Sequence, residues 1–181
     1  KGWSSTPCAG LVMLGDDARQ RIDGTTSSSF SMDLKKWLQI METHEKGAIA
    51  YHATLPTDGL AQLRDVMRET ADFGFEAART AQHALGDQVR ELLVSRGIRS
   101  VAADGFKAPG VVVRYTEDTG IQTGKKFLAE GLQTAAGVPL QCDEPADFMT
   151  FRVGLFGLEK LHNADRTVEQ LAAALNRIAL G

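Results

Sequence analysis

Apolar residues fall in two textures along this chain, and the change comes at Gly97. Upstream, one short continuous run precedes mostly helical spacing. AGLVML at residues 9–14 is unbroken and flanked by small residues, the pattern of a strand buried on both faces of a sheet. The run stops at Gly15, where Asp16 is placed to cap a short helix through DDARQRI. TTSSSFS from Thr25 is polar and loop-like and leads to Asp33, the N-cap expected for a helix over LKKWLQIME. Leu34, Trp37, Leu38 and Met41 share one face of that helix, which predicts packing on a core. EKGAIAYHATLPTDG is turn-rich: Pro56 disfavours helix at Leu55, and Thr57 and Asp58 are the next caps. From there to Arg96 the chain is helix-compatible, interrupted only by Gly74 and Gly86, with DFGFE at residues 72–76 as the bend or domain boundary.

Beyond Gly97 short strands alternate with helices. IRSVAA and GVVVRYT read as strands, GKKFLAEGLQTAA as a helix, VPLQC and TFRVGLF as strands, and TVEQLAAALNRIAL as a final helix. That order predicts a compact α+β unit, a small antiparallel sheet covered by helices.

Composition narrows the function classes. At 181 residues the chain can bury roughly two-thirds of its unfolded surface, enough for one large or two small domains. No apolar run approaches the ~20 residues of a membrane helix, so a membrane protein is not expected. Twenty basic and 23 acidic residues are spread along the chain for a net charge of −3, without a basic block or aromatic–basic interleaving, so nucleic acid is not an expected partner. Cys8 and Cys142 lie far apart and form neither a disulfide framework nor a zinc-ligand cluster, and no metal site is expected. A reducing, cytoplasmic setting fits that cysteine usage.

Four places can carry chemistry. Lys1 stands beside a turn-forming segment with Gly2, Ser4, Ser5 and Pro7, which suits an amine presented into a cleft, although an isolated lysine is ordinarily a solvated surface residue. Tyr51, His52 and Thr54 precede Pro56: hydroxyl and backbone donors in such a turn can bind a phosphate oxygen, or the stretch is a capping turn with a packed tyrosine and His52 as filler. Arg152 lies inside an apolar strand, where a guanidinium is costly to bury without a carboxylate; the partner is either internal, near DEPAD, or a substrate's. Arg114 raises the same question, with strand alternation able to send it to solvent. Cys142 is a nucleophile or, as is usual for a free cysteine, a small buried hydrophobe. GDDAR lacks the spacing of a nucleotide phosphate loop.

Taken in order, KGWSSTPCAGLVML, SFSMDLKKWLQIME, YHATLPTDGLAQLRD and FRVGLFG resemble segments of the class V pyridoxal-phosphate-dependent aminotransferases, in the alanine:glyoxylate and serine:pyruvate (serine:glyoxylate) group. The resemblance covers essentially the whole chain. It implies the α/β fold type I of pyridoxal-phosphate transferases, with residues 1–73 as the end of the large domain. Residues 74–181 would be the complete small α+β C-terminal domain, entered through a long helix. It also implies that an N-terminal half, with the groups that hold the cofactor ring, precedes Lys1. By the same resemblance, Lys1 carries pyridoxal 5′-phosphate. Tyr51 and Thr54 reach its phosphate across a homodimer with shared active sites, and Arg152 holds the amino-acid carboxylate. Small amino acids such as alanine or serine, with glyoxylate or pyruvate as 2-oxo-acid acceptor, are the implied substrates. Two other readings are a non-catalytic dimerisation or substrate-binding module and a cysteine desulfurase relative that uses Cys142.

Overall fold

The structure is a computed structural model and describes residues 2–178. It divides into two compact units, Pro7–Ala61 and a larger one made of Lys1–Thr6 with Gln62–Gly181.

In Pro7–Ala61, helix α1 (Asp16–Asp23) starts on Asp16 itself, the residue expected to cap it. Gly15 is the N-cap, and Asp16 and Asp17 sit in the first turn, where carboxylates meet the positive end of the helix dipole. Helix α2 (Leu34–Glu45) begins as predicted, with an Asp33 carboxylate oxygen accepting from the Lys36 N–H at 3.0 Å. The two helices are tied by Arg19, which donates to Asp23 at 3.1 Å and to Glu42 at 2.5 Å. Ile22 and Ile40 are the buried hydrophobic residues of this unit, whereas Leu34 and Met41, on the face expected to pack, are exposed.

The larger departure is at residues 9–14. No strand forms there, and Leu11, Val12 and Met13 stand exposed, Met13 at 93%. The apolar pattern is that of a buried strand, but a strand exists only through a neighbour's backbone, and among the described residues none pairs with it.

Helix α3 (Thr57–Phe73) and helix α4 (Phe75–Ser95) meet at Gly74, whose φ of +96° breaks the helix at the predicted bend. Gly86, the other expected interruption, stays helical. It is buried, and a Cβ there would meet the Pro109 carbonyl oxygen at 2.7 Å, so the close approach of residue 109 requires glycine.

The sheet of the larger unit is three-stranded and antiparallel, in the order β1 (Val111–Tyr115), β3 (Thr150–Gly154), β2 (Ala135–Ala136). Val112 faces Val153 and Arg114 faces Phe151 across the β1–β3 ladder. Between the strands lie the short helices α5 (Thr119–Gln122) and α6 (Lys125–Ala129); α7 (Leu158–His162) and α8 (Ala164–Arg177) follow β3. One core joins Leu85, Val89 and Leu93 of α4 with Phe127, Phe151 and Leu175, so the helical stripe of α4 and the period-two pattern of β3 bury the same volume. IRSVAA contributes only a single bridge, Ser100 to Arg114, and VPLQC is a loop; the third strand is instead the Ala135–Ala136 pair upstream.

Alternation sends Arg114 to the core face, not to solvent. It is 1% exposed and donates to the carbonyls of Ile98 at 3.0 Å and Arg90 at 3.1 Å, while its Nε has no partner among the described residues. Arg90, also buried, donates to the carbonyls of Ala108 and Val111. Burial, and for Arg114 the neighbouring Arg90 charge, hold both guanidinium pKa values below the ordinary arginine value.

Candidate functional site

The turn before Pro56 brings Tyr51 and Thr54 together. Both are exposed, and Tyr51 Oη and Thr54 Oγ1 share a hydrogen bond of 3.1 Å. Two hydroxyls joined by one bond leave one O–H proton for an outside acceptor, which is the donor set the phosphate reading needs. His52 is occupied otherwise. Its ring lies 4.2 Å from that of Phe30 and 4.9 Å from that of Trp37, and its Nε2 is 3.0 Å from the Phe30 carbonyl, the packing of a filler residue.

Arg152 stands on the other face of β3 from Phe151 and Val153. The strand alternates so that those two are buried while Arg152 is only half-buried. Its Nε donates to the Ala136 carbonyl at 2.9 Å, and among the described residues it forms no ion pair with an aspartate or glutamate. The internal-carboxylate alternative near DEPAD is therefore unfilled, because Glu144 faces its own loop. The Glu144 carboxylate accepts from the N–H groups of Cys142 at 2.8 Å and Gln141 at 2.9 Å, which pull its pKa down to about 2.

That loop also corrects the expectation for Cys142, which is exposed, not a buried hydrophobe. With Gln141 and Asp143 in the left-handed region at φ +61° and +62°, the backbone curls around the Glu144 carboxylate and turns the thiol outward. A concavity of about 510 Å³ lies here, lined by Pro139, Gln141, Glu144 and Phe148, but Arg152 does not line it. Among the described residues no cluster of histidine, cysteine and carboxylate side chains could hold a metal.

The segment after β3 shows what the sequence did not reveal. Leu155 N–H donates to the Gly110 carbonyl at 2.9 Å, and Gln82 of α4 donates to the carbonyls of Leu155 and Pro109, each at 3.2 Å. Gln82 occupies the apolar stripe of α4 between Ala78 and Leu85, and a polar residue inside such a stripe is the signal that could have found it. Residues 2–6 belong to this same unit: Trp3 packs edge-on to Phe75 with ring centroids 6.5 Å apart, and Thr6 Oγ1 is bonded to Gln62 Oε1 at 3.1 Å. Lys1 lies outside the described residues.

No helix among the described residues is long and apolar enough to cross a membrane. No protein-family model matches the chain, and no curated protein matches it. Solved structures do. Over 92% of its length the chain is similar to an alanine–glyoxylate aminotransferase from Nostoc sp., with 17% identity and a TM-score of 0.72. It is also similar to an aspartate aminotransferase of subgroup IV from Thermus thermophilus, over 91% with 17% identity and a TM-score of 0.66. A pyridoxamine–pyruvate aminotransferase from Mesorhizobium loti follows, over 91% with 15% identity and a TM-score of 0.62. The chain spans 42%, 43% and 41% of those three chains, about two-fifths of each. The fold anticipated from the sequence is thus present: over most of its length this chain is built as part of an aminotransferase is built.

Proposed function

We propose that this chain is the C-terminal part of a pyridoxal-phosphate-dependent aminotransferase that moves an amino group from a small amino acid to a 2-oxo acid such as glyoxylate or pyruvate. The observation that carries this reading is Arg152. On a fold of this kind, a guanidinium stands on the open face of β3 with one carbonyl contact and no carboxylate partner among the described residues. A planar fork so presented is suited to bidentate capture of a substrate carboxylate.

The other residues divide the remaining work. Tyr51 and Thr54 supply a neutral hydroxyl pair with a donor to spare, which fits the phosphate of pyridoxal 5′-phosphate, and a homodimer would let them serve the neighbouring subunit's cofactor. Lys1 would hold the cofactor and carry a proton to and from the substrate α-carbon as base and acid. When bound, the cofactor supplies the electron sink that acidifies that α-proton and stores the amino group between donor and acceptor.

The test has two arms. In the intact protein, Arg152→Gln should lower kcat/KM for alanine or serine by the equivalent of about 2–5 kcal/mol, the loss expected when one partner of a desolvated charge pair is removed. An effect under threefold would sink the carboxylate role. In the 181-residue chain, pyridoxal phosphate followed by borohydride should label the Lys1 ε-amine. Absence of a label would favour the non-catalytic module. The exposed Cys142 gives the desulfurase alternative a specific observation, and sulfide release from cysteine that vanishes in Cys142→Ala would establish it instead.

A further inference from the structure

We infer that Gly137 is a positioning residue for Arg152: it holds the peptide whose carbonyl, that of Ala136, turns the guanidinium so that Nη1 and Nη2 are the atoms left to meet a carboxylate. The inference rests on the reading of Arg152 as the arginine that captures the substrate's carboxylate.

One peptide unit carries both contacts. The unit joining Ala136 to Gly137 presents its C=O to Arg152 Nε at 2.9 Å and its N–H to the Gln122 carbonyl at 3.0 Å. No cis peptide occurs among the described residues, and a trans peptide is planar with its N–H and C=O pointing opposite ways. Anchoring the N–H on Gln122, the last residue of α5, therefore fixes the direction of the carbonyl. The anchor is itself firm, because the preceding Ile121 is 1% exposed and belongs to the core of the larger unit.

The position of that peptide is set by β3. Gly137 follows the Ala135–Ala136 strand, in which Ala135 lies opposite Arg152 and Ala136 opposite Phe151. A Cβ on Gly137 would stand 1.8 Å from the Thr150 carbonyl oxygen and 2.5 Å from its carbonyl carbon. Both are backbone atoms of a residue that is 2% exposed and is held opposite Tyr115 in the β1–β3 ladder, so neither can rotate away. A side chain at position 137 must displace its own peptide, and the Ala136 carbonyl moves with it. Space is what requires glycine here, since Gly137 is not among the residues with positive φ.

An arginine fork can take a carboxylate side-on, through Nε and one Nη, or end-on, through both Nη atoms. Nε has a single hydrogen, and in Arg152 it is committed to Ala136, while neither Nη has a hydrogen-bond partner among the described residues. End-on capture is the mode this arrangement leaves.

NMR of the chain with nitrogen-15 arginine tests this, the Arg152 side-chain signals being those lost in Arg152→Gln. The Arg152 Nε–H should exchange with water about fivefold more slowly than that of Arg68, an exposed arginine without a hydrogen bond among the described residues. In Gly137→Ala that protection should vanish, and the backbone N–H at position 137 should exchange faster as well. Replacing the Ala136–Gly137 amide by an ester deletes the N–H and weakens the acceptor without adding an atom to the crowded face. It should release Nε in the same way, and it decides the matter if Gly137→Ala fails to fold. Sodium acetate should move the Arg152 Nη signals and leave Nε protected. In the intact protein, Gly137→Ala should raise KM for alanine or serine about fivefold with kcat little changed, and combined with Arg152→Gln it should add nothing. A wild-type Nε–H as fast as that of Arg68, or one still protected in Gly137→Ala or in the ester, would overturn the inference. So would loss of Nε protection on adding acetate, or penalties of Gly137→Ala and Arg152→Gln that simply add. If Nε is protected and then released as stated, but acetate moves no Arg152 signal and Arg152→Gln leaves kcat/KM unchanged, the carboxylate reading fails and the hold of Gly137 on Arg152 stands.

Discussion

Replacing Gly86 by alanine sets two effects of opposite sign against each other in one helix. Glycine in a helix interior is less favourable than alanine by about 1 kcal/mol, so propensity alone makes Gly86→Ala stabilising. Packing opposes it. The new methyl would stand 2.7 Å from the Pro109 carbonyl oxygen and 3.1 Å from Pro109 Cα, and both are backbone atoms that cannot rotate away. Overpacking of this kind costs about 1–3 kcal/mol. Pushing the segment outward also stretches the bonds from Gln82 to the Pro109 carbonyl and from Arg90 to the Ala108 carbonyl, at about 0.5–1.5 kcal/mol for each one lost. The clash wins, and the larger unit should lose about 1–3 kcal/mol. In urea followed by helical circular dichroism, this appears as a midpoint lower by about 1 M at unchanged slope. Exposed Ala84, in the same stretch of α4, calibrates the opposing term: Ala84→Gly should lose about 1 kcal/mol by propensity alone. A Gly86→Ala chain as stable as the wild type or more so, with Ala84→Gly behaving as stated, would refute the close approach of α4 to residues 108–110.

Other outcomes follow from the same geometry. Asp33→Ala should remove the cap on the Lys36 N–H and lose about 1 kcal/mol from α2, read as faster amide exchange in its first turn, while Asp33→Asn should lose only a fraction of that. The Glu144 carboxyl should titrate near pH 2 by NMR. Its folded pKa lies below its unfolded one, so its contribution to the loop is present above about pH 4.5 and lost as pH falls toward 2; a midpoint near 4.5 would break the argument. Arg114→Ala should lower stability by about 2–4 kcal/mol, through lost packing and a stranded Ile98 carbonyl. Arg152→Gln should change it by less than about 0.5 kcal/mol, since that side chain is not part of the core. Equal losses in the two arginine variants would contradict the assignment of faces.

What the sequence revealed about the fold is what depends on near neighbours. Asp33 caps α2 because its carboxylate reaches an N–H three residues on, and Gly74 breaks the α3–α4 run because its conformation excludes a helix; both are visible within a few residues. β1 and β3 were legible as short apolar segments, yet alternation alone did not say which face was the core, and so the side of Arg114 stayed open. Pairing is a property of two segments, which is why residues 9–14 could look like a strand and find no partner, and why the third strand proved to be Ala135–Ala136. At the site, Tyr51, Thr54 and Arg152 drew attention by residue type, and geometry added the shared hydroxyl bond and the Arg152 bond to the Ala136 carbonyl. Gly157 and Ser4 lie 153 positions apart in the chain yet close in space, and nothing local to either residue announces it.

Exposure of residues 9–14 also governs the colloidal behaviour of the chain. A row of backbone groups without a ladder, bordered by Leu11, Val12 and Met13, is a template onto which another extended segment can add. Solubility should then be limited by some half-dozen residues, not by net charge, and a single gatekeeper such as Val12→Lys should raise the concentration at which the chain clouds more than a lysine placed on an exposed helix would.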